Sequence, residues 1–134
     1  MGRKRRKPLV KLDDLLGPLE AEVMKIIWIR GASLVSDVAD VVNARRPDPL
    51  AYKTVLTICT RLSDKGLLSH EREGRAFRFA PTMTEAEFVA DQASKAADML
   101  INRFGDVALA SFVDQISGNP DQIAALRELL DQTD

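Results

Sequence analysis

Residues 50–81 have the sequence LAYKTVLTICTRLSDKGLLSHEREGRAFRFAP, in which the spacing of the apolar residues changes at Gly66. Before Gly66 the apolar residues share one helical stripe, formed by Val55, Ile58, Cys59 and Leu62. After it, two short extended runs flank residues 73–74, and Phe77 and Phe79 alternate with other side chains. The stretch therefore predicts an α-helix followed by a β-hairpin.

The face of the predicted helix opposite this stripe is polar. At 100° per residue it carries Lys53, Thr57, Thr60, Arg61 and Asp64, with Thr54 at its flank. Hydroxyls and two cations, with one acid near the end, differ from the mixed Glu and Lys side chains of an ordinary solvated helix. This composition favours contact with an oxygen-rich partner over a face that meets only water.

Two further helices are predicted before this stretch. The first begins at Pro18 and ends at Gly31, and the second begins at Val35 and stops at the two prolines within residues 45–49. Three helices followed by a basic hairpin are the order of a winged helix-turn-helix, whose third helix enters the major groove while the hairpin contacts phosphates. The arginines around the predicted hairpin tip are Arg72, Arg75 and Arg78.

The chain after residue 82 is predicted to be helical and acidic. Thr84 and Glu87 form a capping box that opens a long helix ending at Gly105, and two amphipathic helices follow. The apolar stripes of these helices must be buried against other apolar surface. In so short a chain, a second copy related by two-fold symmetry is the simplest source of that surface. The residues predicted to form this dimer interface are Val89, Leu100, Phe104, Leu109, Phe112, Ile116, Leu126 and Leu130.

Charge is distributed unevenly along the 134 residues. Residues 1–80 carry 16 Lys or Arg against 10 Asp or Glu, and residues 81–134 carry 3 against 10, so the two parts have formal charges of +6 and -7. This asymmetry indicates a first part built to meet a polyanion. Five cations cluster near the start of the chain, where a solubilising tail and a nucleic-acid-binding arm are equally consistent with them: Arg3, Lys4, Arg5, Arg6 and Lys7.

Several classes of function are disfavoured by the composition. One cysteine, Cys59, and one histidine, His70, fall short of a structural zinc site and of an internal disulfide, so no metal and no cofactor is expected. Cys59 is predicted to be a core residue and His70 a surface residue of the hairpin. Without a phosphate-binding glycine loop or a carboxylate pair beside a nucleophile, an enzyme is not expected. The absence of a long apolar run predicts a soluble, cytoplasmic protein without membrane insertion.

Three segments resemble the winged-helix repressors of the BlaI/MecI/CopY group. They are LGPLEAEVMKIIW at residues 16–28, RRPDPLAYKTVLTICTRLSDKGLL at residues 45–68 and REGRAFRFAPTMTEAEFV at residues 72–89, within a resemblance covering roughly residues 15–115. The resemblance implies a homodimer, held by C-terminal helices, that binds a palindromic operator in double-stranded DNA. Carried over by position, it places Tyr52, Lys53, Thr54, Thr57 and Arg61 on the recognition helix and Arg72, Arg75 and Arg78 on the wing.

Two departures from the family pattern concern its signals. The copper-responsive branch has a C-terminal cysteine cluster that this chain does not share, so copper sensing is not expected. The resemblance also implies a pathway in which a membrane sensor-protease cuts an Asn-Phe bond near the dimerisation helices. Here Arg103 separates Asn102 from Phe104, and the sequence leaves the operator, the regulated genes and the inducing signal open.

The predicted fold class is mainly α with a small β-hairpin, divided into three parts. Residues 1–14 form a basic flexible arm, residues 15–82 a winged helix-turn-helix DNA-binding domain, and residues 83–134 a helical dimerisation domain. The predicted function is a sequence-specific transcriptional repressor. The alternative is a winged-helix module that binds another protein and has a nonspecific basic arm.

Overall fold

A computed structural model of the chain describes residues 10–133, so the cations predicted to form an arm, Arg3 to Lys7, lie outside the described residues. A 3-10 turn at Leu12–Asp14 comes before the regular elements. The helices are α1 (Pro18–Arg30), α2 (Val35–Asn43), α3 (Tyr52–Asp64), α4 (Glu85–Phe104), α5 (Asp106–Ile116) and α6 (Pro120–Asp131), and the strands are β1 (Ser33–Leu34), β2 (Leu68–Glu73) and β3 (Ala76–Pro81). Mainly helical structure with a small antiparallel sheet confirms the predicted fold class.

The sheet has the order β1-β3-β2, and both pairings are antiparallel. β2 and β3 form the predicted hairpin, with its turn at residues 74–75, and Gly74 has a φ of 66° that favours glycine. β1 was not predicted, because a strand of two residues is too short to show an alternating pattern. It pairs Ser33 with Phe79 and so joins the sheet to the chain between α1 and α2.

A continuous core lies between the first three helices and the sheet. The stripe predicted on α3 is fully inside it, since Val55, Cys59 and Leu62 have no exposed surface and Ile58 has only 4%. Phe79 of β3 packs into the same core. Burial of these apolar side chains, each contributing roughly 1.5–3 kcal/mol, fixes which face of α3 points outward.

The turn between α2 and α3 is closed by the side chain of Asn43. Its Nδ2 donates to the carbonyl oxygen of Leu50 at 3.0 Å, and its Oδ1 accepts from the amide of Leu50 at 2.8 Å. Leu50 is also packed against the core. Asn43 therefore fixes the position at which α3 begins.

The predicted boundary of the arm differs from the structure. The sequence placed residues up to 14 in a flexible arm, whereas Leu12 is 4% exposed and belongs to the core. Burial of Leu12 was not predicted because its neighbours Lys11, Asp13 and Asp14 are charged. One apolar residue within a single turn produces no periodic pattern.

The chain divides into two compact units, one ending at Val89 and one beginning at Ala90. Phe88 and Val89 of α4 pack against the core of the first unit, so that unit extends beyond the predicted boundary at residue 82. In the second unit, the apolar side chains of α5 and α6 are largely exposed, among them Val107, Leu109, Leu129 and Leu130 at 60% or more.

A partly buried ion pair, between the buried Glu20 and the half-exposed Lys65, joins α1 to the end of α3. Lys65 Nζ lies 2.8 Å from Glu20 Oε1, and the Gly17 amide donates to the same oxygen at 3.2 Å. Burial alone would raise the pKa of Glu20, but these partners outweigh it and hold the pKa below its usual value. The pair therefore stabilises the folded protein at neutral pH.

Lys65→Met is expected to lower the free energy of unfolding by about 1–3 kcal/mol, because Glu20 stays buried without its cation. A lowered folded-state pKa means that this stabilisation is present above the unfolded-state pKa of ~4.3 and is lost as the pH falls through the folded-state pKa. Urea titrations of both proteins at several pH values measure the difference. Lys95→Met, which removes only an exposed pair with Asp91, is the control and should change stability by less than about 0.5 kcal/mol.

The thiol of Cys59 is expected to be unreactive in the folded protein. The side chain has no exposed surface, and burial raises its pKa to about 11, which confirms the prediction of a core residue. Alkylation at pH ~8 should therefore be slow in buffer and rapid in urea, where the pKa returns toward ~8.5. Fast labelling in buffer would show that α3 leaves the core readily.

Candidate nucleic-acid interface

α3 presents a continuous polar face to solvent. The side chains predicted to lie on it are all exposed: Tyr52, Lys53, Thr54, Thr57, Thr60, Arg61 and Asp64. The Thr57 hydroxyl donates to the carbonyl oxygen of Lys53 at 2.9 Å, which fixes its rotamer and leaves its oxygen free to accept. Within residues 10–133 no ion pair holds Lys53 or Arg61. The face thus combines one oriented threonine hydroxyl with exposed cations.

The hairpin lies beside the end of α3 and turns one of its faces toward that helix. His70 Nδ1 is 3.1 Å from Ser63 Oγ of α3, and the ring of His70 packs beside Phe79. Side chains two residues apart on a strand share a face, so Arg72 lies on the same face as His70. Its guanidinium carbon sits 5.2 Å from the centre of the Phe77 ring, a cation–π contact that holds the charge near the tip.

The three predicted wing arginines have different surroundings. Arg72 is exposed on the face nearer α3, and Arg75 is exposed in the turn. Arg78 lies on the opposite face, where its Nε and Nη2 donate to the two carboxylate oxygens of Glu73 at 2.7 and 3.3 Å. These hydrogen bonds also lower the pKa of Glu73. Arg78 is therefore the wing cation least available to a further partner.

This pairing was not predicted from the sequence, although one signal could have indicated it. Glu73 and Arg78 lie on opposite strands of a hairpin with a two-residue turn, where they are diagonal neighbours on one face. Arg78 Nη1 also reaches the carbonyl oxygen of Ala32 at 3.4 Å, just before β1. Because the sequence did not reveal β1, this contact could not be anticipated.

The residues predicted for a dimer interface do not share one environment. Leu100, Phe104, Leu109, Phe112 and Leu130 are 46–61% exposed. Leu126 is half-buried, Ile116 is 8% exposed, and Val89 packs against the core of the first unit. Of the residues predicted for the interface, five therefore present exposed apolar surface.

Among the described residues there is no cluster of three or more His, Cys, Asp or Glu side chains that could hold a metal ion. His70 is exposed on the hairpin. Among residues 10–133, no helix has the length and apolar character needed to cross a membrane.

Comparison with known proteins identifies this arrangement. The sequence profile of the penicillinase repressor family matches residues 16–132. The chain belongs to the penicillinase repressor family. This result confirms the predicted membership of the BlaI/MecI group, and the match includes the helices, the wing and nearly all of the second unit.

Two relatives illustrate the similarity across this repressor family. The transcriptional regulator BlaI of Mycobacterium tuberculosis (strain CDC 1551 / Oshkosh) is 37% identical over 120 residues, covering 86% of this chain and 82% of the relative. The penicillinase repressor of Bacillus licheniformis is 30% identical over 119 residues, covering 84% and 87%. Both alignments span most of each protein, so they concern both units of the chain.

A solved structure is also similar to this chain in its fold. The structure of hsRosR-S1 in a complex superposes with a TM-score of 0.51 at 15% identity, covering 87% of this chain and 99% of that chain. At this identity the similarity concerns the fold alone.

Proposed function

We propose that the protein is a homodimeric transcriptional repressor that recognises a palindromic operator in double-stranded DNA. The observation that carries this proposal is the outward face of α3, where an oriented threonine hydroxyl and exposed cations lie beside a basic hairpin. A helix of this kind fits the major groove, where threonine contacts base edges and arginine binds guanine. Tyr52, Lys53, Thr54, Thr57 and Arg61 form the proposed base-reading and backbone-contacting set.

The wing contributes phosphate contacts in this proposal. Arg72 and Arg75 are exposed, and Arg72 lies on the hairpin face nearer α3, so both can meet the backbone beside the groove that α3 occupies. Contact by Arg78 stays a prediction, and it would require the Glu73 pair to open or to share the guanidinium.

Dimerisation is proposed through the second unit. Its exposed side chains include Leu100, Phe104, Leu109, Phe112 and Leu130, a density of apolar surface that favours an interface. A two-fold dimer presents two copies of α3, and a palindrome follows from that symmetry. The formal charge of -7 on residues 81–134 is consistent with a part of the chain that stays away from DNA.

Two further proposals follow from this function. A repressor of this kind acts in the cytoplasm, where the chromosome lies. Asn102, Arg103 and Phe104 are in the last turn of α4, and release through cleavage near them by a membrane sensor-protease stays a prediction.

Selection of random DNA duplexes by the purified full-length protein tests the proposed function. A two-fold symmetric consensus is expected, with binding roughly 10³-fold or more tighter than to random DNA at physiological salt. A protein-interaction module with a basic arm would instead return no consensus and only weak, salt-sensitive binding.

Deletion of residues 2–7 is expected to preserve dimerisation and the preferred sequence while reducing the salt dependence of binding. Five cations on an arm can contact phosphates in many registers, and each lost contact flattens the slope of log affinity against log salt by roughly 0.9, doubled in a dimer. Titrations of both proteins on one duplex measure the slope. An unchanged slope would mean that the segment is a solubilising tail.

A further inference from the structure

The two faces of the hairpin differ in the charge that they present. The face nearer α3 carries Arg72, which no ion pair holds among residues 10–133. The opposite face carries Glu71, Glu73 and Arg78, because side chains alternate between the two faces along each strand. This second face therefore has two carboxylates for one guanidinium.

The guanidinium of Arg78 donates to three acceptor atoms within the protein, the two carboxylate oxygens of Glu73 and the carbonyl oxygen of Ala32. The arrangement with Glu73 is bidentate, and a guanidinium binds a phosphate in the same way. Hydrogen bonding to Glu73 raises the pKa of Arg78, and the charges of Asp37 and Glu71 act in the same direction. Glu73 therefore occupies a side of the guanidinium that would suit a DNA phosphate.

The pair between Glu73 and Arg78 lies at the surface, where Arg78 can exchange one anion for another. The exposed fraction of the side chain is 35% for Arg78 and 58% for Glu73. An exposed ion pair shifts an equilibrium by only about fivefold or less, because water and salt screen both charges. A phosphate can therefore replace the carboxylate, but the hydrogen bonds to Glu73 are then lost and the net gain is small.

We infer that Glu73 limits the affinity of the wing for DNA by binding Arg78 in the place of a phosphate. The inference rests on the proposed function and deepens it, since it divides the wing arginines into two kinds. Arg72 and Arg75 are available to phosphates, whereas Arg78 becomes available only when the Glu73 carboxylate is removed or neutralised. Phosphate contacts carry no sequence information, so the effect concerns affinity and leaves base preference unchanged. Glu73 acts through Arg78 and is accordingly a positioning residue.

The test substitutes Glu73→Gln in the full-length protein, which keeps the size of the side chain and removes its charge. Binding to the selected operator and to a random duplex should strengthen by about two- to fivefold per wing. The slope of log affinity against log salt should steepen by roughly 0.9 per wing, because one phosphate contact is gained. The base consensus should stay that of the wild type. Titrations at several salt concentrations measure both quantities, and an unchanged slope overturns the inference.

Glu71→Gln is the matched control, because Glu71 is exposed, lies directly opposite Arg78 on the same face and forms no ion pair among residues 10–133. It removes the same charge from the same face, and the salt slope should stay close to that of the wild type. Equal steepening by both substitutions would mean that Glu73 acts by its charge alone, and the inference would be wrong.

A double-substitution cycle measures whether Glu73 acts through Arg78. Arg78→Gln alone should leave the salt slope unchanged, and adding Glu73→Gln to it should have no more effect than Glu71→Gln has. A flatter slope for Arg78→Gln alone, or a full gain from Glu73→Gln in its presence, overturns the inference. If Arg78→Gln does not fold, the comparison of Glu73→Gln with Glu71→Gln decides the question. These outcomes leave the proposed function intact, which fails only if the wild-type protein selects no symmetric site.

Discussion

A chain ending at Ala90 is expected to sediment as a monomer and to bind the operator about 10²–10⁴-fold more weakly than the full-length protein. The shortened chain keeps α3 and the wing, so each half-site is still recognised. It loses the exposed apolar side chains of the second unit, and the second half-site then binds as an independent event. Sedimentation and titration on one operator duplex measure both effects.

The structure determines where this truncation must be made. A chain ending at Pro81, the end of the hairpin, would remove Phe88, which is 2% exposed, and the Met83 carbonyl that accepts from Trp28. A weaker affinity would then reflect a damaged core instead of the loss of the dimer. Ending the chain at Ala90 keeps both, because the first compact unit extends to Val89.

Substitution in the full-length chain provides the control for the truncation. Phe112→Glu places a charge on an exposed apolar side chain of α5, and Ser111→Glu places the same charge on its exposed neighbour. We expect the first to weaken the dimer and the second to leave it intact. A dimer that survives both the truncation and Phe112→Glu would move the interface out of the second unit.

Periodic features of the fold were predictable from the sequence, and features made by single contacts were not. The stripe on α3 repeats over several turns, so its period identified the helix, its buried face and the polar face opposite. The hairpin was equally clear. Leu12 and β1 were missed because each involves one or two residues, too few to establish a period.

In the candidate site, too, the contacts of individual side chains were not predicted from the sequence. The type and spacing of Arg72, Arg75 and Arg78 predicted all three on the wing, but this prediction did not distinguish their surroundings. Register and turn length put Glu73 beside Arg78, and packing put Phe77 beneath Arg72. Whether a wing arginine is free to contact another molecule thus depends on the side chains that the fold places beside it. The tertiary structure identifies these neighbours.

Substitutions on α3 and on the wing are expected to separate specificity from affinity. Thr57→Ala and Arg61→Ala should each cost about 1–3 kcal/mol on the operator and relax the preference at one base pair of each half-site, because they remove groups that are proposed to contact base edges. Both side chains are exposed, so the fold should be unaffected. Selection from random duplexes and titration on the operator measure the two effects.

Arg75→Ala is the matched comparison, because Arg75 lies in the turn of the wing and its predicted contacts are with phosphates. It should weaken binding to operator and random DNA by similar factors and lower the salt slope by roughly one per wing, without changing any base preference. The contrast depends on geometry, since Arg61 and Arg75 carry the same charge and differ only in the element that presents them. If Thr57→Ala and Arg61→Ala both returned the wild-type consensus, α3 would not lie in the major groove, and the polar side chains on its outer face would need another partner.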